Sequence, residues 1–395
     1  MLKGANPFIG ITAVQLNGIV EFAGANQTLI QSMGGGITPT VYSTLILTNT
    51  NNKTLATNTT VTTRLVRGGT SSLAPGANTL TSSPGAALEY AGTAAQTTGP
   101  ELPAAIGTLV IANSAGVTLS AGATVDALLD LAAGDVRTGA YTLDLSAGAT
   151  CSGAGDVVGA VRRGAVADGV TYCFGHPDVR AGVQAGSTPP SALTVTLTKG
   201  SAPFDGAVTR HYTVTAPGFA GVANLRLHYR AGELNGNTPG LLHLWRYDGV
   251  RWLVQTPSAW GDGYVEKNDV TTFSDWALAD DGDSTAVDLS TFTVQTGSDQ
   301  AFLTWSTGSE VALAGFHLHR ATSVDGVKQR ITPAMIPAQF TGQVAGAVYT
   351  WVDRTAALDG ANFYWLEMVG LQGGASWHGP VAIAGARIYL PAVRR

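Results

Sequence analysis

An all-β chain is predicted, a parallel β-solenoid or β-helix followed by two β-sandwich domains, and three observations predict it. The stretch from Ala87 to Arg163 repeats the stretch before it. Its apolar residues come in short bursts divided by Gly, Ala, Ser or Asp. Beyond about Gly164 the apolar residues fall instead into longer runs that alternate strictly with polar ones.

The repeat carries the solenoid reading. Leu88-Glu89-Tyr90-Ala91-Gly92 echoes Val20-Glu21-Phe22-Ala23-Gly24 at an offset of 68 residues, and Leu109-Val110-Ile111 stands over Leu45-Ile46-Leu47 at 64. Thr118-Leu119 followed by Thr124-Val125 echoes Thr54-Leu55 followed by Thr60-Val61 at 64, and Gly139 to Leu143 echoes Gly76 to Leu80 at 63. Repetition at a near-fixed offset marks stacked units that bury their apolar faces only against neighbours. Bursts such as Val117-Thr118-Leu119 and Val157 to Val161 are too short and too broken for a helical period, and they read as strands. Small residues between them, as in Asn113-Ser114-Ala115-Gly116, permit tight corners and close stacking. A right-handed parallel β-helix is the predicted form. An antiparallel sandwich cut from the same strands is the rival, and it suits the duplication less well.

In chain order, residues 1–18 form a lead-in in which Ile9, Ile11 and Val14 offer a first strand or cap. A solenoid end exposes unpaired strand and bare core, so this segment or another subunit must cover it. Residues 19–163 are the duplicated solenoid. Residues 164–279 form the first sandwich, where Leu193, Val195 and Leu197 alternate with threonines and Leu225, Leu227 and Tyr229 alternate with Arg226, His228 and Arg230. Asp248-Gly249 reads as a two-residue hairpin turn. Counting outward from it places Trp245 directly opposite Trp252. Residues 280–286 are an acidic linker. Residues 287–395 are a second sandwich, with Leu303 and Trp305, Phe316 and Leu318, and Tyr349 and Trp351 as alternating pairs. Phe363 to Val369, apolar on both faces, is its central strand, and Ile388 to Val393 its last.

Composition narrows the function. Charged residues are 12% of the chain and the net charge is −5, with no basic cluster beyond Arg162-Arg163 and Arg394-Arg395, so nucleic acid is not an expected partner. No apolar run reaches the eighteen or so residues of a membrane helix, so no membrane insertion is expected. Met1 to Pro7 lacks the apolar core of a secretion signal although the composition looks extracellular; a gene start upstream or a processed chain would reconcile the two. Cys151 and Cys173 are either two buried thiols or one disulfide closing a loop of 22 residues.

Chemistry is sparse. No nucleophile elbow, phosphate loop or zinc-protease motif is present, and Glu89, Glu101, Asp126, Asp130, Asp135 and Asp144 are scattered among the solenoid turns. A polysaccharide-degrading enzyme would need two of them brought together. The expectation is therefore no catalytic residues and no enzyme. His317 and His319 share one strand face without a third ligand nearby, which reads as a wet sheet face and no metal site. Asp280, Asp281 and Asp283 beside Gly282 have the chemistry of a calcium site, but no EF-hand spacing follows, and a solvated linker is the competing reading. Trp260 and Tyr264, read as lying in a loop, are candidate glycan contacts; closing the core is the plainer role for such aromatics.

Several motifs carry a resemblance. Leu88 to Gly92 with Gln96-Thr97, Leu109 to Leu119 and Thr138 to Leu145 resemble the repeat regions of modular secreted bacterial cell-surface proteins. Leu244-Trp245-Arg246-Tyr247-Asp248-Gly249, Trp252 and Phe273-Ser274-Asp275-Trp276 resemble the Ig-like sandwich that follows such repeats. Leu303 to Thr307 with Glu310, Gly315 to Arg320, Tyr349 with Asp353, and Phe363 to Glu367 resemble a fibronectin type III-like module. Ile388-Tyr389-Leu390-Pro391 is similar to C-termini of secreted proteins from filamentous thermophilic bacteria. The resemblance implies exported surface architecture and no particular chemistry. The expected function is structural, a self-assembling subunit of a cell-surface filament, sheath or layer, joined head to tail by end stacking or by a strand from the N-terminal segment or the Phe292 region. A glycan-binding adhesin is the alternative.

Overall fold

The computed structural model describes residues 15–29, 40–250, 252–280, 289–297, 299–310, 313–341, 345–357, 361–371 and 375–383. Ile9, Ile11, Val14, Asp281, Asp283 and the tail from Ile388 lie outside them. The described chain is all-β, a solenoid of about six turns followed by antiparallel sheets.

One wall of the solenoid is a ladder of parallel strands, Gln15–Phe22, Val41–Leu47, Thr59–Gly68, Ala87–Gly92, Ala105–Asn113 and Ala123–Ala133. Val20, Leu45, Leu65, Leu88, Leu109 and Leu129 are successive register partners on it, and the five leucines are completely buried. Burying each leucine stabilises the stack by about 2 kcal/mol. Val20 to Leu88 is three steps along this ladder, and so is Leu45 to Leu109. The duplication seen in the sequence is thus a three-coil period, with single coils of roughly a third of that length. Further walls are built the same way, by Gln27–Leu29, Thr50–Leu55 and Thr70–Ala74, and by Gln96–Thr97, Val117–Thr118, Val136–Leu145 and Val157–Arg163.

The corners need their small residues. At Gly134, with φ of +91°, a Cβ would sit 1.9 Å from the Asn113 carbonyl oxygen of the coil before, so only glycine lets the two turns approach. Asn113 itself is buried, donating from Nδ2 to the Ala94 carbonyl and to Gln96 Oε1 while its Oδ1 accepts from the Ala115 N–H. Such stacked amides satisfy backbone groups that a bend takes out of the ladder.

The C-terminal end of the solenoid is closed from within the chain. Val157–Arg163 pairs antiparallel with Leu193–Lys199, setting Val161 opposite Val195 and Arg163 opposite Leu193. Arg162 points outward to Asp144, at 2.6 Å, whereas Arg163 is fully buried. Arg163 donates to the carbonyls of Ser146, Ala149 and Cys173 and packs its guanidinium over Tyr172. Burial lowers its pKa to about 10, against a smaller opposing effect of Tyr172. Cys151, in the ladder opposite Leu129, is joined to Cys173 by a disulfide, with Cα atoms 6.1 Å apart. Replacing both cysteines with alanine is expected to cost about 3 kcal/mol by freeing a 22-residue loop, read as a lower urea midpoint; an unchanged midpoint would refute that contribution.

Two compact units divide the chain, 1–200 with 211–229 and 258–275, and 201–210 with 230–257 and 276–395. The first contains a five-stranded antiparallel sheet of Thr171–Cys173, Arg180–Val183, Ala223–His228, Tyr264–Val270 and Ala259–Gly261. In the second, Leu242–Tyr247 lies between Trp252–Gln255 and Asp275–Asp280. Here the register differs from the two-residue turn expected at Asp248-Gly249: Tyr247 is paired with Trp252 and Trp245 with Val254. Gly249 is left-handed, at φ +101°, and Asp248 Oδ1 accepts from the Val250 N–H, so the Asp-Gly pair opens a four-residue connection. Trp245 and Trp252 still share a face, diagonally, and Phe204 packs on both at 5.6 and 5.2 Å.

The second unit ends in two antiparallel sheets. One joins Leu289–Thr296, Ala301–Thr307 and Val348–Asp353; the other is built on Leu313–Ala321, Asn362–Gly370 and Ala375–Ile383. Asn362–Gly370 is central, as its apolar faces require. Trp305, Phe316, Tyr349 and Leu366 fill one core, with the Trp305 and Tyr349 rings stacked at 5.3 Å. Phe292 pairs with Trp305 in its own sheet and packs against that core.

Candidate functional site

The five-stranded sheet of the first unit has one apolar and one polar face. Tyr172, Ala181, Leu225, Leu227 and Val265 are buried on the first. Thr171, Arg180, Asn224, Arg226, Tyr264 and Glu266 lie on the second, since the register sets Arg180 opposite Arg226, Arg226 opposite Glu266, and Gly182 opposite both Thr171 and Asn224. Trp260 and Tyr264 are not in a loop but on the two strands of a hairpin, turned by Asp262-Gly263 with Gly263 at φ +75°. Trp260 pairs with Val265 and Tyr264 with Gly261, so the two aromatics point to opposite faces and form no shared platform. Trp260 is 45% exposed, whereas the Tyr264 ring is covered by the Arg226 guanidinium at 3.9 Å.

Arg226 is held on two sides. Its Nη2 lies 2.6 Å from Glu266 Oε2 and its Nη1 3.2 Å from Asp178 Oδ1. Partial burial opposes its charge, and the hydrogen bond and charge of Glu266 more than offset that, raising its pKa. Beside it a cavity of about 210 Å³ is lined by Thr171, Arg180, Asn224, Leu225, Arg226 and Glu266.

A second cluster brings together Asp156, His176 and His228, whose potential ligand atoms all lie within 4.8 Å of one another. It does not fit a metal. The two imidazoles are stacked face to face at 3.8 Å and 10°, whereas two rings bound to one ion radiate from it. His176 Nδ1 accepts the Asp178 N–H, which in the neutral ring leaves the proton on Nε2. Lys199 sits 2.9 Å from Asp156 and 3.0 Å from Asp135, so the Asp156 carboxylate is already paired with a cation. The cluster reads as a hydrogen-bonded seam. The three residues are too far apart in sequence for any spacing motif to announce them.

The scattered solenoid acids are each tied to a neighbour. Asp126 accepts from Ser146, Asp130 from Ser152 and Asp144 from Arg162, each partner about one coil on, and Glu89 takes Arg64 from the coil before. Asp135 is held by Lys199, and Glu101 is buried against Arg67. His317 and His319 do gain an acid that the sequence reading did not supply, Glu367 of the central strand, but His319 Nε2 bonds it at 2.7 Å while His317 is turned to Thr332. His319 is buried rather than wet, because Trp377 lies 4.6 Å over it. Asp280 ends a strand and accepts the Thr238 N–H. Glu310 and Asp353, which carried part of the resemblance, are buried acceptors: Glu310 takes Thr307, Phe340 N–H and Tyr349, and Asp353 takes Arg320, Thr355 and Tyr364. Burial and the Asp353 charge push the Tyr364 phenol up to about 12.

Compared with known proteins, the chain matches no family model, no curated protein and no solved structure.

Proposed function

We propose that the chain is an extracellular structural protein that self-associates through the first coil of its solenoid, as a subunit of a surface filament, sheath or layer. The observation that carries this reading is the asymmetry of the stack. Its last coil is paired by Leu193–Lys199, while Gln15–Phe22 is paired on one edge only, with Val41–Leu47, among the described residues. Its Ile19 is 74% exposed. A strand edge with unused backbone groups and apolar side chains is a template for another strand. The Cys151–Cys173 disulfide favours an oxidising compartment, which supports the extracellular part. With the last coil paired by Leu193–Lys199, the joint in this reading is a strand from another copy added at Gln15–Phe22, whose second edge has no partner among the described residues.

Light scattering and negative-stain microscopy over a concentration series test this. Assemblies that grow with concentration are expected, and Ile19→Lys, at an exposed position, should shift them to monomer. A protein that stays monomeric at the highest concentration, or an Ile19→Lys chain that assembles as before, would sink the reading.

A further inference from the structure

We propose that the polar face of the five-stranded sheet binds an acidic saccharide, a pyranose bearing a carboxylate, with Arg180 receiving that carboxylate. This goes beyond self-association and does not depend on it.

The starting point is a charge arrangement that the sheet does not need for stability. Arg180 and Arg226 are direct register partners on neighbouring strands, and like charges so placed repel. Arg226 is neutralised by Glu266 and Asp178. Arg180 is exposed and uses only Nε, donating to the Pro177 carbonyl at 2.6 Å; no carboxylate pairs with it among the described residues. Fixing Nε in this way aims the rest of a planar guanidinium, whose remaining N–H groups suit the two oxygens of a carboxylate.

The groups around it suit hydroxyls. The hollow of about 210 Å³ beside Arg180 is lined by Thr171, Asn224, Arg226 and Glu266, and glycine at 182, where a Cβ would lie 2.4 Å from the Val170 carbonyl oxygen, lets the Thr171 strand lie close against it. Asn224 Oδ1 is occupied by Gln184 Nε2 at 2.8 Å, so its Nδ2 is presented as a donor. Glu266 takes both Arg226 nitrogens on Oε2, leaving Oε1 as an acceptor. Thr171 adds a hydroxyl that gives or accepts. A sulfate or phosphate would meet only repulsion from Glu266, and a bare carboxylate would leave Asn224 and Glu266 unused. One cationic fork beside an acceptor and two donors is the complement of a uronate ring.

Isothermal titration calorimetry of the full chain with oligogalacturonate, glucuronate, glucose, acetate and sulfate tests this. The uronates should bind with an affinity that falls as salt rises, and glucose and acetate should bind at least about tenfold more weakly. Arg180→Ala, at an exposed position, should weaken uronate binding about tenfold or more, and Asn224→Ala by a smaller factor, with the circular dichroism spectrum unchanged. Arg180→Lys, which keeps the charge and loses the fork, should fall between. Absence of uronate binding by the native chain, equal binding of acetate or sulfate, or an affinity indifferent to Arg180→Ala would each overturn the proposal.

Discussion

Arg67→Met is expected to destabilise the solenoid by about 4 kcal/mol, the cost of leaving a buried charge without its partner. Arg67 occupies an inward position between Leu47 and Tyr90 on the parallel ladder, where every neighbouring rung is apolar or aromatic. Its Nη1 donates to Glu101 Oε1 at 2.5 Å and to the Thr97 carbonyl at 2.6 Å, and its Nε to the Ser71 carbonyl at 2.6 Å. Glu101 also accepts from the Tyr90 hydroxyl and the Gly99 N–H, while its Oε2 is buried without a partner. Burial first, and then the Glu101 charge, raises the Tyr90 phenol well above its usual range, so that hydroxyl stays a donor. Methionine fills much of the arginine volume and removes only the charge and its bonds. The double variant Arg67→Met/Glu101→Leu should lose less than Arg67→Met alone, with a coupling of about 2 kcal/mol between the sites in urea denaturation. A loss for the double variant equal to the sum of the Arg67→Met and Glu101→Leu losses would show that packing, not charge pairing, sets the cost.

Leu109→Ala should cost about 4 kcal/mol, near the upper part of the range for buried leucines. The residue is completely buried and stacked between Leu88 and Leu129, so the truncated site has rungs on both sides that cannot collapse without shifting two coils. In a stacked array each coil is stabilised by its neighbours, and the loss should spread to adjacent rungs. Hydrogen exchange measures that spread: faster exchange is expected at Leu88 and Leu129 as well as at position 109, with the sheet of Asn362–Gly370 unchanged. A loss confined to one rung would contradict the coupled stack.

Much of this fold is legible in the residues. The three-coil repeat, the small corners and the switch to strict alternation after Gly164 all reflect periods that burial imposes on any strand. The two Asp-Gly turns show where that reading stops. Asp248-Gly249 and Asp262-Gly263 look alike, yet the first opens a four-residue connection and the second closes a two-residue one. Both registers keep Trp252 on the Trp245 face under Phe204, so the alternation that is legible in the sequence does not choose between them. Asp262-Gly263 likewise turns into a hairpin a stretch that reads as a loop, and the strand pairing sends Trp260 and Tyr264 to opposite faces. Nothing local marks Arg180, Asn224 and Glu266 as neighbours, and the same holds for Asp156, His176 and His228.

The chain's own composition and periodicity therefore determined that it is all-β, with a stacked N-terminal part and alternating strands after it. Only the tertiary structure decided which strand stands beside which: that Leu193–Lys199 closes the last coil, that Glu101 meets Arg67, and that two arginines far apart in sequence share one register. The physical reason is that alternation specifies a face and not a partner. Partners across long separations are chosen by the collective burial that outweighs the entropy of closing the loops between them.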